Sequence, residues 1–149
     1  MTASTGERHA RRPWHLWVVG LATLAFFLAG SRDYVLVLAR DTDYIVENCG
    51  QGGVGYFRNY PLVLRAVWTV NIVASVIAAL LLLGRHRWSF LMALTAAVAQ
   101  AVLLVATFAF RDRWDALGAG TAWFDIGVGG VGVALATYCW TMRSRGVLR

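Results

Sequence analysis

Residues 61–83 read PLVLRAVWTVNIVASVIAALLLL, residues 84–87 read GRHR, and residues 88–110 read WSFLMALTAAVAQAVLLVATFAF. Each apolar run is about 23 residues long, and a helix of that length spans roughly 34 Å, slightly more than the ~30 Å hydrocarbon core of a bilayer. Arg65 is the one ionisable side chain in the two runs. It lies in the first turn, from where its long side chain can reach the membrane surface. The stretch therefore predicts two membrane-spanning helices joined by a short basic turn.

The rest of the composition extends this pattern to one membrane domain that covers residues 1–149. The chain is 58% hydrophobic and 15% charged, and its apolar residues fall into four blocks. We predict an all-α, antiparallel four-helix bundle whose outer loop forms a cap. The spans are expected at about residues 14–31, 61–83, 88–110 and 121–142, and the outer loop at residues 32–60.

The first apolar block leaves two interpretations open. A cleaved signal peptide also has a positive start, an apolar core and small residues after it, here at residues 29–31. However, the core from Trp14 to Gly30 is long for a signal peptide, and Pro13 suits the first turn of a helix. We therefore expect this block to be retained as the first span.

The distribution of arginine predicts the orientation. Three arginines precede the first span, two lie in the 84–87 turn and three follow the fourth span, whereas the other two connections balance five arginines with six acids. Because cytoplasmic segments carry the excess of Arg and Lys, we expect both termini in the cytoplasm and the cap on the outer side of the membrane. No basic stripe accompanies the net charge of +6, so no nucleic-acid partner is expected.

Small residues recur at helical spacing on the third and fourth spans. In lipid, where helices gain little from burying apolar surface against each other, small residues let their backbones approach closely. The predicted packing positions are Ala93, Ala97, Ala101, Gly127, Gly130 and Ala134. They predict tight contact between the spans or with other membrane subunits.

Four polar residues within the spans form a candidate intramembrane site. Asn71 and Gln100 lie at the same predicted depth on adjacent helices and could hydrogen-bond to each other. Asp125 lies one turn inside the fourth span, where Arg65 is expected at a similar level. For each pair, two interpretations stay open: a structural polar contact, which we favour, or a site that binds a solute.

The outer loop carries the residues that we expect to dock a partner protein, namely Tyr44, Cys49, Tyr56, Phe57 and Tyr60. In the predicted topology Cys49 and Cys139 lie on opposite sides of the membrane, which excludes a disulfide between them. Residues 50–55 match the dinucleotide pattern GxGxxG, but no strand precedes them. We therefore expect a flexible loop there and no nucleotide site.

No arrangement of side chains predicts an enzyme. His9, His15 and His86 lie at or beyond the predicted inner surface, so none could face another within a span to hold haem. The sequence offers no nucleophile–base pair, no paired carboxylates and no acid at mid-depth for a proton pump. We expect neither a cofactor nor a metal.

One pattern resembles a group of short, uncharacterised proteobacterial inner-membrane proteins, which often carry an automatic "sugar transporter" label. The residues that carry the resemblance are Asp33, Tyr34, Tyr44, Tyr56, Phe57, Pro61, Trp68 and the run ALLLLGRHRW at 79–88. The resemblance covers most of residues 13–115, although the glycine-rich segment 49–55 departs from the group's pattern. It implies four spans in a bacterial inner membrane, with the cap in the periplasm, and no particular binding residues.

These observations favour a non-enzymatic accessory or structural subunit that packs against a larger membrane complex. The alternative is a small-solute transporter or channel that works as an oligomer and uses the polar residues of the spans. Replacing Asn71 by Leu separates the two, because only the transporter hypothesis predicts that this change abolishes solute passage in a folded protein.

Overall fold

The computed structural model describes residues 14–149, all of whose regular structure is helical. The predictions about the arginine-bearing tail and Pro13 therefore lie outside the described residues. The helices are α1 (Trp14–Leu38), α2 (Thr42–Arg58), α3 (Leu62–Leu83), α4 (Ser89–Phe110) and α5 (Arg113–Ser144). Four of them, α1, α3, α4 and α5, are long and apolar enough to cross a membrane. The all-α class and the four candidate spans are thus confirmed.

Local sequence explains where the helices begin and end. The Asp41 carboxylate accepts a hydrogen bond of 3.1 Å from the backbone N–H of Tyr44 and caps the start of α2, as expected of Asp before a first helical turn. Pro61 precedes α3 with its φ at −57°, which its ring fixes. The N–H of Gly84 donates to the carbonyl of Leu80 at 3.0 Å and closes the end of α3.

Two glycines break helices that would otherwise be continuous. Gly50 in α2 has φ +69° and Gly118 in α5 has φ +82°, a left-handed region that side chains with a Cβ rarely adopt. Each helix is consequently two helical pieces that meet at an angle. The break in α5 separates a short first piece, residues 113–117, from the long piece that follows.

The spanning helices pack in sequence order, with α3 between α1 and α4, and α4 between α3 and α5. At one end α1 also reaches α5, where the ring nitrogen Nδ1 of His15 lies 2.7 Å from the hydroxyl of Tyr138. At the opposite end α2 packs against both α1 and α5. We call these two ends the tail end and the α2 end.

The tail end is closed by the last residues of the chain. The backbone of Arg149 accepts a hydrogen bond from Arg87 and donates one to Arg85, both at 2.9 Å. Arg85 Nε also donates to the carbonyl of Val147 at 3.1 Å. Leu148 is buried in the core that the four spans share at this end. The segment that the sequence suggested was a simple basic tail is therefore an ordered part of the fold.

The prediction of an outer loop at residues 32–60 is wrong, because most of this segment is helical. The helix α1 continues past the predicted span, to Leu38. Most of the remaining segment is α2, whose buried residues are Ile45, Gly53, Tyr56 and Phe57. The glycines permit close packing: a Cβ on Gly52 would lie 2.6 Å from the carbonyl oxygen of Ala116. Glycine here serves helix contact, where the sequence had suggested flexibility.

Burial differs among the predicted packing positions. Ala93 is buried and Ala97 is half-buried, whereas Ala101, Gly127, Gly130 and Ala134 are exposed in the chain. A step of four residues turns a helix about 40° beyond a full revolution, so the stripe from Ala93 to Ala101 leaves its partner. The buried face of α4 mostly follows steps of three and four, the pattern that stays on one side of a helix, and comprises Ser89, Ala93, Ala96, Ala99, Gln100, Leu103 and Thr107.

Candidate functional site

A cavity of about 100 Å³ lies between the spanning helices, next to α2. Polar and apolar side chains share its wall, and we call it the polar cavity after the former. All four spans contribute to its wall, together with Tyr60 from the connection between α2 and α3. Its polar lining residues are Asp33, Tyr60, Asn71, Gln100, Thr107, Arg113 and Asp125. Three of the four residues predicted for an intramembrane site, Asn71, Gln100 and Asp125, therefore surround one space.

The predicted partner of Asp125 is wrong. Its Oδ2 atom pairs with Nε of Arg113 at 2.5 Å, and the two side chains are only 19% and 11% exposed. Arg65 instead lines a separate small groove with Arg40 and Trp68. In the sequence, Arg113 is one of the balanced charges of an outer connection, and its return to Asp125 was not predicted.

The break at Gly118 makes the Arg113–Asp125 pair possible. Residues twelve apart in an unbroken helix lie about 18 Å apart along its axis, far beyond the reach of this pair. Because the backbone turns at Gly118, the first piece of α5 brings Arg113 back over Asp125. The guanidinium also lies 5.6 Å from the centre of the Tyr56 ring, and its Nη1 is 3.5 Å from the Tyr56 hydroxyl.

Asn71 and Gln100 each link two helices, but not to each other as predicted. Asn71 Nδ2 donates to the carbonyl of Ala96 on α4 at 2.9 Å. Gln100 Nε2 donates to the backbone carbonyl of Asp125 on α5 at 3.2 Å. Within residues 14–149 neither amide oxygen accepts a hydrogen bond, so both retain acceptor capacity at the cavity. The two side chains therefore join α3, α4 and α5 around the same space.

Asp33 brings a second carboxylate to the cavity wall. Its Oδ1 atom accepts a hydrogen bond of 2.6 Å from the hydroxyl of Tyr44 on α2. Burial, and then the bond to the Asp33 carboxylate, raise the pKa of Tyr44 to about 12, so this hydroxyl stays a donor at neutral pH. The charged wall thus holds two carboxylates and one guanidinium, an excess of negative charge.

Aromatic side chains cover the cavity on the α2 side. Tyr56, Phe57 and Tyr60 are each 8% exposed and pack with Trp68 of α3. Burial raises the pKa of Tyr60 to about 12. Three of the five residues predicted to dock a partner therefore face the interior of the chain. Interfacial aromatics suit either a surface or a core position, and the sequence does not distinguish the two.

Arg111 links the end of α2 to the aromatic side chains over the cavity. Its Nη1 and Nη2 atoms donate to the carbonyls of Asn59 and Tyr56 at 3.1 and 3.0 Å, which are left without helical partners at the end of α2. The guanidinium also lies 4.6 Å from the centre of the Tyr56 ring. A cation at a helix C-terminus stabilises it, so Arg111 holds α2 over the cavity.

The other two predicted docking residues are half-buried. Burial raises the pKa of the Cys49 thiol, which lowers its thiolate fraction and its reactivity at neutral pH. Cys139 is fully buried, 3.2 Å from the hydroxyl oxygen of Ser89. Both cysteines are free thiols.

Residues 14–149 contain no group of three His, Cys, Asp or Glu side chains that could hold a metal ion. Comparisons of the chain with protein-family models, with curated protein sequences and with solved structures find no match. The resemblance to a group of proteobacterial inner-membrane proteins therefore stays an expectation.

Proposed function

We propose that this chain is a multi-pass membrane protein that binds a small polar solute between its spans and lets it pass, as a transporter or channel. The observation that carries the proposal is the cavity of about 100 Å³ lined by Asn71, Gln100 and the Arg113–Asp125 pair. Charged and polar side chains inside a membrane are unfavourable unless paired, and they mark solute and ion pathways.

The wall favours a particular class of solute. A cavity needs roughly 10–15 Å³ to admit one water, and each water occupies about 30 Å³ in the liquid. A cavity of about 100 Å³ therefore holds a few water molecules or a solute of a few heavy atoms. Its excess of carboxylates favours a small cation or a neutral donor over an anion. The free amide oxygens of Asn71 and Gln100 would accept hydrogen bonds from such a solute.

Reconstitution into vesicles tests this proposal. Vesicles are exposed to inwardly directed gradients of urea, methylammonium chloride or sodium acetate, and light scattering follows the volume change as solute enters. We expect urea or methylammonium to enter faster than into protein-free vesicles, and acetate not to. Failure of every probe to enter faster than in protein-free vesicles would refute the proposal.

Two variants identify the path. Asn71→Leu places an apolar side chain in the cavity and is expected to abolish the added permeability. Thr95→Val is the matched control, since Thr95 is exposed and donates only to the carbonyl of Leu91 in its own helix. Equal rates for both variants would place the path elsewhere. Each variant must first elute from size exclusion as wild type does.

A second candidate is the accessory subunit that the sequence favoured. The observation for it is that Gly127, Gly130 and Ala134 lie together on an exposed face of α5, and a Cβ on either glycine would meet nothing within 4 Å. Such a face suits close approach by another membrane helix, from a larger complex or a second copy.

The test of this candidate is extraction of native membranes in mild detergent, separation by size and mass spectrometry of co-migrating chains. We expect Gly130→Leu to release the protein from its assembly, whereas Ala101→Leu, on an exposed face of α4, leaves it in place. Migration as a monomer in the wild type would exclude this role. We further propose that both termini lie in the cytoplasm, on the arginine distribution, and that the membrane is a bacterial inner membrane, on the resemblance to the proteobacterial group.

A further inference from the structure

A second, basic pocket lies at the tail end, away from the polar cavity. It has a volume of about 180 Å³ and is lined by Arg87, Trp88, Leu91 and Arg143. The start of α4 and the last turn of α5 form its walls. It is larger than the groove at the α2 end, which is about 20 Å³ and contains Arg40 and Arg65.

The two guanidinium groups at this pocket have no polar partner within residues 14–149. That of Arg87 lies 5.9 Å from the ring centre of Trp88, and that of Arg143 lies 5.7 Å from the ring centre of Phe90. These contacts leave the N–H groups of both side chains available. Arg85, by contrast, donates to the carbonyl of Val147, and so serves the fold.

Within residues 14–149, the side-chain charges around the pocket are of one sign. Five arginines lie in the segments that form the tail end, and these segments contain no Asp or Glu: Arg85, Arg87, Arg143, Arg145 and Arg149. All the acids of residues 14–149 lie in other segments, from Asp33 to Asp125. A pocket in such a field attracts an anion, and arginine pairs with phosphate through two hydrogen bonds.

The pocket also has an apolar side that belongs to the membrane surface. Trp88 is 48% exposed and Leu91 is 37% exposed, and both lie in or next to the first turn of the apolar helix α4. Indole rings favour the headgroup level of a bilayer. An anion held by the arginines would therefore continue into an acyl chain along Leu91, as in a phospholipid.

We propose that this pocket binds the phosphate of an anionic phospholipid headgroup. Basic pockets between spanning helices bind such headgroups, and the exposed Trp88 and Leu91 distinguish a lipid from free phosphate. The site is independent of the polar cavity, and its occupant would fix the tail end at the membrane surface.

Native mass spectrometry of the detergent-purified full chain tests this proposal with added phosphatidylglycerol or phosphatidylcholine. We expect one phosphatidylglycerol to be retained in preference to phosphatidylcholine. The double variant Arg87→Gln with Arg143→Gln is expected to weaken that retention about 30-fold, since each basic residue near a membrane surface contributes roughly a fivefold factor. Arg143→Lys, which keeps the charge, is expected to lose less than Arg143→Gln.

The control removes the same charge from the other end, by Arg40→Gln with Arg65→Gln, and is expected to retain lipid as wild type does. Equal loss in both double variants would overturn the proposal, because net charge alone would then explain retention. Equal retention of the two lipids by wild type would overturn it too. Full displacement of the lipid by 10 mM inorganic phosphate would show that free phosphate is the ligand. Each variant is first compared with wild type by circular dichroism and size exclusion.

Discussion

Replacing Asp125 by Asn tests whether the partner of this carboxylate is Arg113, as in the structure, or Arg65, as the sequence predicted. The carboxylate pairs with Arg113 between side chains that are 19% and 11% exposed. Asn keeps the shape of the side chain and removes its charge, which leaves the Arg113 guanidinium without a counter-charge. The bond from Gln100 should survive, because it ends on the backbone carbonyl of residue 125.

The expected loss is large. Charges about 4 Å apart attract by roughly 4 kcal/mol at an effective dielectric constant near 20, and removing one partner of a buried pair costs about 3–5 kcal/mol. Removing both charges, by Arg113→Gln with Asp125→Asn, leaves no charge unpaired and is expected to cost about 1–2 kcal/mol. The double variant should therefore be more stable than Asp125→Asn alone.

The assay is unfolding of the purified protein in mixed micelles of increasing dodecyl sulfate content, followed by helical circular dichroism. Arg65→Gln is the control, because Arg65 was the predicted partner and makes no side-chain hydrogen bond within residues 14–149; we expect a change of at most about 0.5 kcal/mol. A loss below about 1 kcal/mol for Asp125→Asn would refute the reasoning. So would a double variant whose loss equals the sum of the two single losses.

Further predictions concern the packing, the reactivity and the hydrogen bonding of α2. Gly52→Ala should destabilise the protein in the micelle assay, because its Cβ would lie 2.6 Å from a backbone oxygen, whereas Gly55→Ala, in open space, should be neutral or stabilising by up to about 1 kcal/mol. A membrane-impermeant maleimide should label Cys49 and not the buried Cys139 in intact cells. The rate of labelling should increase as pH rises above 8, because burial raises the Cys49 pKa. Labelling only after lysis would place α2 on the cytoplasmic side. Tyr44→Phe removes the bond to Asp33 and should cost about 1 kcal/mol in micelles; an unchanged midpoint would argue against that bond.

The spans could be predicted because a membrane imposes a simple requirement on sequence. A run of apolar residues long enough to cross a bilayer is visible without knowledge of any neighbour, and the segments 61–83 and 88–110 match α3 and α4 to within a residue or two at each end. The helix α2 was harder to predict from the sequence. Its glycines suggested a loop, although Gly52 and Gly53 pack as parts of a helix.

The sequence predicts which residues line the candidate site, but not which partners they bind. Polarity within a span singled out Asn71, Gln100 and Asp125, and all three line one cavity. Their partners depend on how each helix is rotated and on where the backbone turns, and neither can be read from depth alone. Arg113 was missed because its role depends on the left-handed backbone at Gly118. A glycine between an arginine and an intramembrane acid was the available signal.

The turn at Gly118 also bears on how α5 fits a membrane. An unbroken α5 would be about 48 Å long, well beyond the ~30 Å of hydrocarbon, and the turn shortens the stretch that has to cross the lipid. The same turn returns Arg113 to Asp125. The backbone at a single glycine therefore both limits the length of the span and supplies the counter-charge of the acid inside it.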